Sequence, residues 1–233
     1  MFKVLALSAL AVLIPCGSAS HSHKEATEAA AWPQLNLYTT FQADSALFTW
    51  DGHKLSTYKD ITATLKVDSG RNKIKINAKV GVPLIGKVNA EVLVDLTKGV
   101  AYESVPFLRI CQQTNLNMTL NLKDTLEKIY SPIGGITQYD GEKTAPWDNT
   151  KMYEFHAGNV NGTATAWFDE GTHNGKWIYE QSKDSSIPQL VVQLPTGERQ
   201  ATFQDSDFVL SGCKTFNAEP EQRVSIWFDE APQ

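Results

Sequence analysis

Three consecutive runs of alternating apolar and polar residues lie between residues 60 and 104, and they limit the folds open to this chain. Turn-forming residues at 68–70 and 81–83 separate the runs. The apolar members are Ile61, Ala63, Leu65, Val67, then Ile74, Ile76, Ala78, Val80, then Val88, Ala90, Val92 and Val94. Because successive side chains of a strand point to opposite faces, each run has one apolar and one polar face. The pattern predicts an antiparallel meander whose apolar side must be covered by another part of the chain.

Residues 1–20 have the features of a secretory signal peptide. Lys3 precedes an apolar run at 4–15, which is followed by small residues. We expect cleavage near Ala19 or Ser20 and a secreted, extracellular protein, periplasmic if the source is bacterial. Cys16 leaves open the alternative of a lipid-anchored lipoprotein. No later stretch is apolar over the ~18 residues of a membrane helix, so we expect a protein that is not integral to a membrane.

The charge and length of the remaining chain indicate one domain. The formal net charge is −5, and removal of Lys3 with the signal peptide makes it −6. A mildly acidic chain without basic blocks is a poor candidate for nucleic-acid binding. Residues 21–34 are polar and alanine-rich and are predicted to form a loose tail. Residues 35–233 are predicted to form one domain with a single core.

Two cysteines, Cys111 and Cys213, follow the predicted signal peptide. In an oxidising compartment the simplest arrangement is one disulfide, and two free buried thiols are the alternative. Asn117 and Asn161 each begin an Asn-x-Thr sequon. If the host is eukaryotic, we expect both asparagines to be glycosylated at the surface.

One helix is predicted at 119–131, because Leu122, Leu126 and Ile129 recur at helical spacing before Pro132. A lone amphipathic helix beside a one-sided sheet is best placed on the apolar face. Other segments resemble strands and predict a mainly β, α+β fold: 37–39, 47–50, 100–102, 151–156, 163–168, 176–181, 189–194, 199–205, 208–210 and 223–228. A loop that holds Asp140-Gly141, Pro146 and Trp147 is predicted after the helix.

Motifs for common catalytic sites are absent or weak. The chain has no G-x-S-x-G, no phosphate-binding glycine loop, no C-x-x-C and no H-E-x-x-H. Ser56 and Lys59 match S-x-x-K without the companion motifs of that class. Asp68-Ser69-Gly70 resembles an aspartic-protease loop, but it lies where a hairpin needs turn residues. We therefore predict no catalytic residues and no enzymatic activity.

Candidate metal ligands are scattered. The histidines show no metal-ligand spacing, and no metal site is predicted from them. Asp205 with Asp207, and Asp169 with Glu170, have the hard oxygen atoms that Ca²⁺ prefers. Solvated loops are the simpler interpretation of both pairs, so no cofactor is predicted and calcium is kept as an alternative.

Pairs of adjacent bulky apolar residues distinguish the second half of the chain. The pairs are Trp167-Phe168, Trp177-Ile178 and Trp227-Phe228. Since neighbouring residues of a strand point to opposite faces, these strands are apolar on both sides. Either one side forms a ligand cavity or partner surface, or neighbouring chain covers both faces.

The order of features from about residue 35 to 216 resembles the ependymin-related proteins, a secreted group that shares the fold of bacterial periplasmic lipoprotein carriers (LolA-like). The resemblance is carried by segments 102–111, 120–126, 164–169, 176–179, 202–208 and 212–213. It implies a strongly curved antiparallel sheet, or half-barrel, packed on one or two helices around a lipid-binding pocket. It also implies a Cys111–Cys213 pair. Members of this family dimerise and interact with calcium, so a homodimer is a further expectation.

Together these inferences predict a secreted, non-enzymatic protein that holds a hydrophobic ligand, such as a fatty acid or phospholipid, between the sheet and the helix. The residues predicted to line the cavity are Ile74, Ile76, Val92, Val94, Leu126, Ile129, Trp167 and Trp177. Two other hypotheses remain open: an extracellular adhesion or interaction protein that recognises a protein or glycan surface, and a secreted hydrolase with a site assembled from dispersed residues.

Overall fold

The computed structural model describes residues 32–116, 120–132, 135–158, 162–184, 188–211 and 213. Within these ranges, twelve β-strands form one antiparallel sheet and α1, Leu122–Ile129, is the single α-helix. The strands are β1 Thr40–Trp50, β2 Leu55–Asp68, β3 Lys73–Val82, β4 Gly86–Asp95, β5 Val100–Val105, β6 Ile110–Asn115, β7 Gln138–Thr144, β8 Lys151–Gly158, β9 Gly162–Asp169, β10 Gly175–Ser182, β11 Leu190–Gln193 and β12 Glu198–Gln200. The predicted mainly β fold, a sheet packed on a helix, is confirmed.

Several predicted features lie outside the described residues. They are the signal peptide at 1–20, the tail at 21–31, Asn117, Asn161 and the predicted strand at 223–228. No helix among the described residues has the length and apolar character needed to cross a membrane.

The sheet consists of two meanders joined in the middle. Its strand order is β6-β5-β4-β3-β2-β1-β11-β10-β9-β8-β7, with β12 paired to β1. Strands β1 to β6 therefore run outward from the centre in chain order, and β7 to β11 run inward from the opposite edge. In the described part of the chain β6 and β7 do not pair, so the sheet is open.

The meander predicted at 60–104 is present as β2, β3 and β4. Ile76 lies opposite Val92, and Ile74 lies opposite Val94. The register between β1 and β2 shifts after Ala46. Lys59 and Asp60, in this irregular part of β2, have φ values of 51° and 47°. Such bulges bend a strand and increase its twist.

We call the face of the sheet that α1 covers the inner face. The buried α1 residues Leu122, Leu126 and Ile129 pack there, as the sequence pattern predicts. The helix is shorter than the predicted 119–131. It begins at Leu122, because the Asn121 side chain caps it by accepting the Asp124 N–H, and it ends at Ile129. Asn72 joins the β2–β3 turn to the start of the helix, since its side chain accepts the Leu122 N–H at 2.8 Å.

The opposite face, here called the outer face, is partly covered by residues 201–211. Predicted strands at 199–205 and 208–210 are wrong beyond β12. A 3₁₀ turn at Asp205–Phe208 replaces them, because Gln204 and Asp207 form reciprocal capping hydrogen bonds. Ion pairs from Lys66 to Asp207 (2.6 Å) and from Arg71 to Asp205 (2.8 Å) hold this turn against the sheet.

The predicted disulfide between Cys111 and Cys213 is present, with a Cα–Cα distance of 5.9 Å. It attaches the end of the C-terminal segment to β6. Phe203 and Phe208 of that segment pack against Leu93 on the outer face. The C-terminal segment therefore covers the outer face of the sheet around β4.

Strand β7 was not predicted, and the loop interpretation is wrong for Asp140 and Gly141, which belong to this strand. The strand pairs with β8 at the edge of the sheet, and none of its side chains is buried. An edge strand that buries no side chain has no need of apolar alternation, so its sequence, QYDGEKT, carries no strand signal.

Candidate ligand-binding cavity

A cavity of about 110 Å³ lies between the inner face and α1. Leu126 and Ile129 of α1 form one wall, and Leu37 and Tyr38, which precede β1, border it as well. The central strands supply the rest of its apolar surface: Phe41, Ala43, Ala46, Leu47, Ile61, Ala63, Leu65, Ile76, Ile178, Val192 and Leu194. The cavity is thus enclosed mainly by β1, β2, β11 and the C-terminal half of α1.

Three of the predicted lining residues border this cavity: Ile76, Leu126 and Ile129. Ile74, Val92 and Val94 belong to the same inner-face cluster but are not part of the cavity wall. They lie toward the N-terminal end of α1, where Asn72 binds the start of the helix. Leu122 of α1 packs in the same buried cluster. The helix therefore closes tightly at its N-terminal end and leaves space at its C-terminal end.

Trp167 and Trp177 do not border the cavity, contrary to the prediction. They lie on the outer face in a separate cluster with Met152 and Val191. Their neighbours Phe168 and Ile178 point to the inner face instead, and Ile178 lines the cavity. The strands are doubly apolar, and the sequence pattern does not say which of two adjacent bulky residues faces inward.

The outer-face cluster is built around Trp147. Its ring contacts Trp50, Trp167, Trp177 and Tyr179 at centroid distances of 5.3, 5.5, 5.8 and 5.5 Å. These edge-to-face contacts are the favoured geometry for aromatic pairs. The segment that carries Trp147 thus covers this half of the outer face.

Asp148 fixes the same segment to β10. Its carboxylate accepts the Trp177 Nε1–H and pairs with the Lys176 Nζ, each at 2.8 Å. Burial acts to raise the pKa of Asp148, but the hydrogen bonds from Lys176, Thr150 and Trp177 outweigh it and hold the pKa well below its usual value.

The cavity wall contains four polar side chains that were not selected from the sequence: Tyr38, Ser45, Tyr130 at the C-terminal end of α1 and Glu198 at the start of β12. The Glu198 carboxylate accepts the Gly175 N–H at 3.0 Å. A Cβ added at Gly175 would lie 2.8 Å from that carboxylate, so a larger residue here would displace the Glu198 side chain. A single acidic residue after the turn at 195–197 gives no sequence signal for a cavity.

The cavity environment shifts the pKa values of Glu198 and Tyr130. Burial raises the pKa of Glu198, and hydrogen bonds from its own backbone N–H and from Gly175 offset part of that effect. Burial also raises the pKa of the Tyr130 phenol well above its usual value, and the charge of Glu198 adds to the increase. Glu198 and Tyr130 both border the cavity.

Three of the four acidic residues considered for calcium, Asp205, Asp207 and Asp169, have other partners. Asp205 pairs with Arg71 and Asp207 with Lys66. Asp169 accepts hydrogen bonds from the backbone of the turn that follows it, including the Thr172 N–H at 2.8 Å. Among the described residues, no group of three or more His, Cys, Asp or Glu side chains is arranged to hold a metal ion.

No protein-family model matches the chain, and no curated protein matches it. Among solved structures, the chain is similar to an uncharacterised conserved protein from Thermus thermophilus, with a TM-score of 0.43 and 5% sequence identity, over 73% of this chain and 83% of that one. The resemblance to the ependymin-related proteins therefore stays a prediction.

Proposed function

We propose that this is a secreted binding protein that holds a hydrophobic ligand between the inner face of the sheet and α1. The observation that carries the proposal is the location of the cavity. It lies beneath a helix of eight residues and is lined mainly by aliphatic side chains. A helix this short depends on tertiary packing for its stability, so it can be displaced without unfolding the sheet.

The size of the cavity restricts how a ligand binds. At about 110 Å³ it is smaller than the roughly 300–1,000 Å³ typical of drug-sized ligand sites. It resembles in scale the engineered apolar cavities of about 150 Å³ that take up benzene. A short aliphatic segment therefore fits without rearrangement, whereas a long acyl chain requires the C-terminal end of α1 to move away from the sheet.

Burial of methylene groups would supply most of the affinity. Each methylene removed from water contributes about 0.8 kcal/mol, so an eight-carbon chain gains about 6 kcal/mol. That gain corresponds to a dissociation constant on the order of tens of micromolar before the loss of ligand freedom is subtracted. Longer chains bind more tightly if α1 moves to admit them.

The proposal is tested by expressing the full chain in a secretory host and recording native mass spectra before and after organic extraction. A stoichiometric mass excess that extraction removes, and that glycans do not explain, would support a bound hydrophobic ligand. A bare mass, together with no uptake of added fatty acids, alcohols or phospholipids, would exclude the carrier function.

A matched pair of variants assigns any ligand to this cavity. Ala63 lines it, whereas Ala201 is a partly buried alanine packed on the outer face. We expect Ala63→Met to fill the cavity and abolish the mass excess, and Ala201→Met to retain it. Retention of the ligand by both variants would place the ligand elsewhere.

A second candidate is extracellular recognition through the outer face, which the aromatic cluster around Trp147 favours. Phe48, Trp50 and Trp147 in that cluster are only partly buried. If these rings form the binding surface, Trp50→Ala abolishes binding to an immobilised glycan or matrix panel, whereas the inner-face change Val92→Ala lowers stability alone. Unchanged binding by Trp50→Ala would exclude this function.

A further inference from the structure

The chemistry of the cavity wall restricts the polar end of the ligand. The wall contains one carboxyl group, Glu198, and no Lys, Arg or His among the described residues. Two neighbouring cations have other partners. Arg199, next to Glu198 in the sequence, pairs with Asp44 at 2.8 Å, and Lys176, next to Gly175, pairs with Asp148 at 2.8 Å. A ligand anion that entered here would therefore meet a like charge without a compensating cation.

The position of Glu198 defines a polar end and an apolar end of the cavity. Glu198 lies directly opposite Ala43 in the β1–β12 ladder. The lining continues along β1 to Leu47, which is about 14 Å from Ala43 at 3.4 Å per residue. Leu47 and Ile61 pack in the same apolar cluster at that far end. An elongated molecule thus fits with its polar group at Glu198 and its chain directed along β1.

Glu198 and Tyr130, two of the polar residues that line the cavity, can complement a hydrogen-bond donor. A carboxylate only accepts hydrogen bonds, and the N–H of Gly175 satisfies just part of its capacity. Tyr130, whose hydroxyl is both a donor and an acceptor, lines the same cavity. An alcohol can donate to Glu198 and accept from Tyr130, and an ammonium group can pair with the carboxylate.

We propose that the cavity selects aliphatic molecules whose polar end donates a hydrogen bond and carries no negative charge, namely alcohols or amines, over fatty-acid anions. The proposal rests on the ligand-binding function proposed above and narrows it. It revises the expectation of a fatty acid, because a second carboxylate beside Glu198 could bind only if one of the two took up a proton.

The test compares three probes of equal chain length, 1-octanol, octylamine and octanoate, titrated calorimetrically into the delipidated full chain at pH 7.5. We expect octanol or octylamine to bind at least about tenfold more tightly than octanoate. Octanol and octylamine can each donate a hydrogen bond to the Glu198 carboxylate, and hydrogen bonds to charged groups contribute more than neutral ones. Preference for octanol would identify alcohols as the ligand class, and preference for octylamine would identify amines.

Two substitutions connect this selectivity to the named groups. Glu198→Gln removes the negative charge but retains an acceptor for Gly175, so we expect the discrimination against octanoate to fall to less than about threefold. Glu127→Gln is the matched control, because it makes the same change in net charge on the exposed side of α1. If Glu198→Gln does not fold, Tyr130→Phe removes only a hydroxyl and should weaken octanol binding severalfold.

The outcomes separate the two proposals. Octanoate binding as tightly as octanol and octylamine, or selectivity that neither Glu198→Gln nor Tyr130→Phe alters, would overturn the selectivity and leave the binding function intact. Failure of all three probes to bind would overturn the binding function, and the selectivity with it.

Discussion

Substitution of Asn72 is the sharpest test of how α1 is held over the cavity. The Asn72 side chain accepts the Leu122 N–H at 2.8 Å and donates to the Leu120 carbonyl at 2.7 Å. Its backbone has a φ of 56°, a left-handed conformation that asparagine tolerates better than alanine. Asn72→Ala therefore removes these two hydrogen bonds and adds backbone strain. It also removes a longer, exposed hydrogen bond to the Thr97 hydroxyl (3.3 Å), which contributes little.

The expected destabilisation follows from these contacts. Two hydrogen bonds at about 1 kcal/mol each contribute about 2 kcal/mol, and alanine at positive φ adds about 1 kcal/mol. We expect Asn72→Ala to lower the free energy of unfolding by about 3 kcal/mol. Asn72→Gly removes the same hydrogen bonds without the steric strain, so we expect a loss nearer 2 kcal/mol.

Urea denaturation followed by circular dichroism measures these differences directly. Asn89→Ala, at an exposed position of β4, is the control and should change stability by less than about 0.5 kcal/mol. A loss below about 1 kcal/mol for Asn72→Ala would refute the anchoring role. Equal losses for Asn72→Ala and Asn72→Gly would refute the contribution of backbone strain.

Three further predictions concern the disulfide and two carboxyl groups. Replacing Cys111 and Cys213 by serine opens a loop with a sequence separation of 102. We expect the free energy of unfolding, measured by heat or urea, to fall by up to about 4.7 kcal/mol. No measurable decrease would contradict this. Burial raises the pKa of Glu198 above 4.5, so the free energy of unfolding of the wild type falls as the pH rises through the folded-state pKa. The stability of Glu198→Gln should therefore equal that of the wild type at pH 4 and exceed it at pH 7.5. A stability difference that does not depend on pH would refute this. The pKa of Asp148 is lowered from 3.8, so its stabilisation is present above pH 4 and is lost on acidification; acid melts of Asp148→Asn should show a smaller pH dependence than wild type.

The sequence predicts the local parts of this fold well. The alternation at 60–104 identifies β2, β3 and β4, because their pairing is between chain neighbours and one face of each is apolar. The helical spacing of Leu122, Leu126 and Ile129 identifies α1 and its buried side for the same reason. The two cysteines that follow the predicted signal peptide allow only one pairing with each other, and the structure contains that pair.

The parts that sequence reasoning missed depend on distant segments of the chain. Trp167 and Trp177 were assigned to the wrong face because an apolar residue on each side of a strand leaves its orientation undetermined. Glu198 and Tyr130 come together only through the packing of β12 and α1 against the same sheet, and neither has a local signal. The turn at Asp205–Phe208 depends on ion pairs with β2 and the turn after it, which a strand pattern does not contain.

The division of the sheet into two meanders has a consequence for folding kinetics. All other pairings join strands adjacent in sequence, whereas β1 pairs with β11 and β12 across large separations: Leu47 and Val192 are 145 positions apart, and Phe41 and Gln200 are 159 apart. Closing these separations carries the largest entropic cost, so we expect the junction of β1 with β11 and β12 to form last. Leu47 and Val192 line the cavity, and the binding site should therefore appear in the final folding step. A kinetic intermediate with both meanders formed would then lack ligand affinity, and added ligand would slow unfolding without accelerating the early phases.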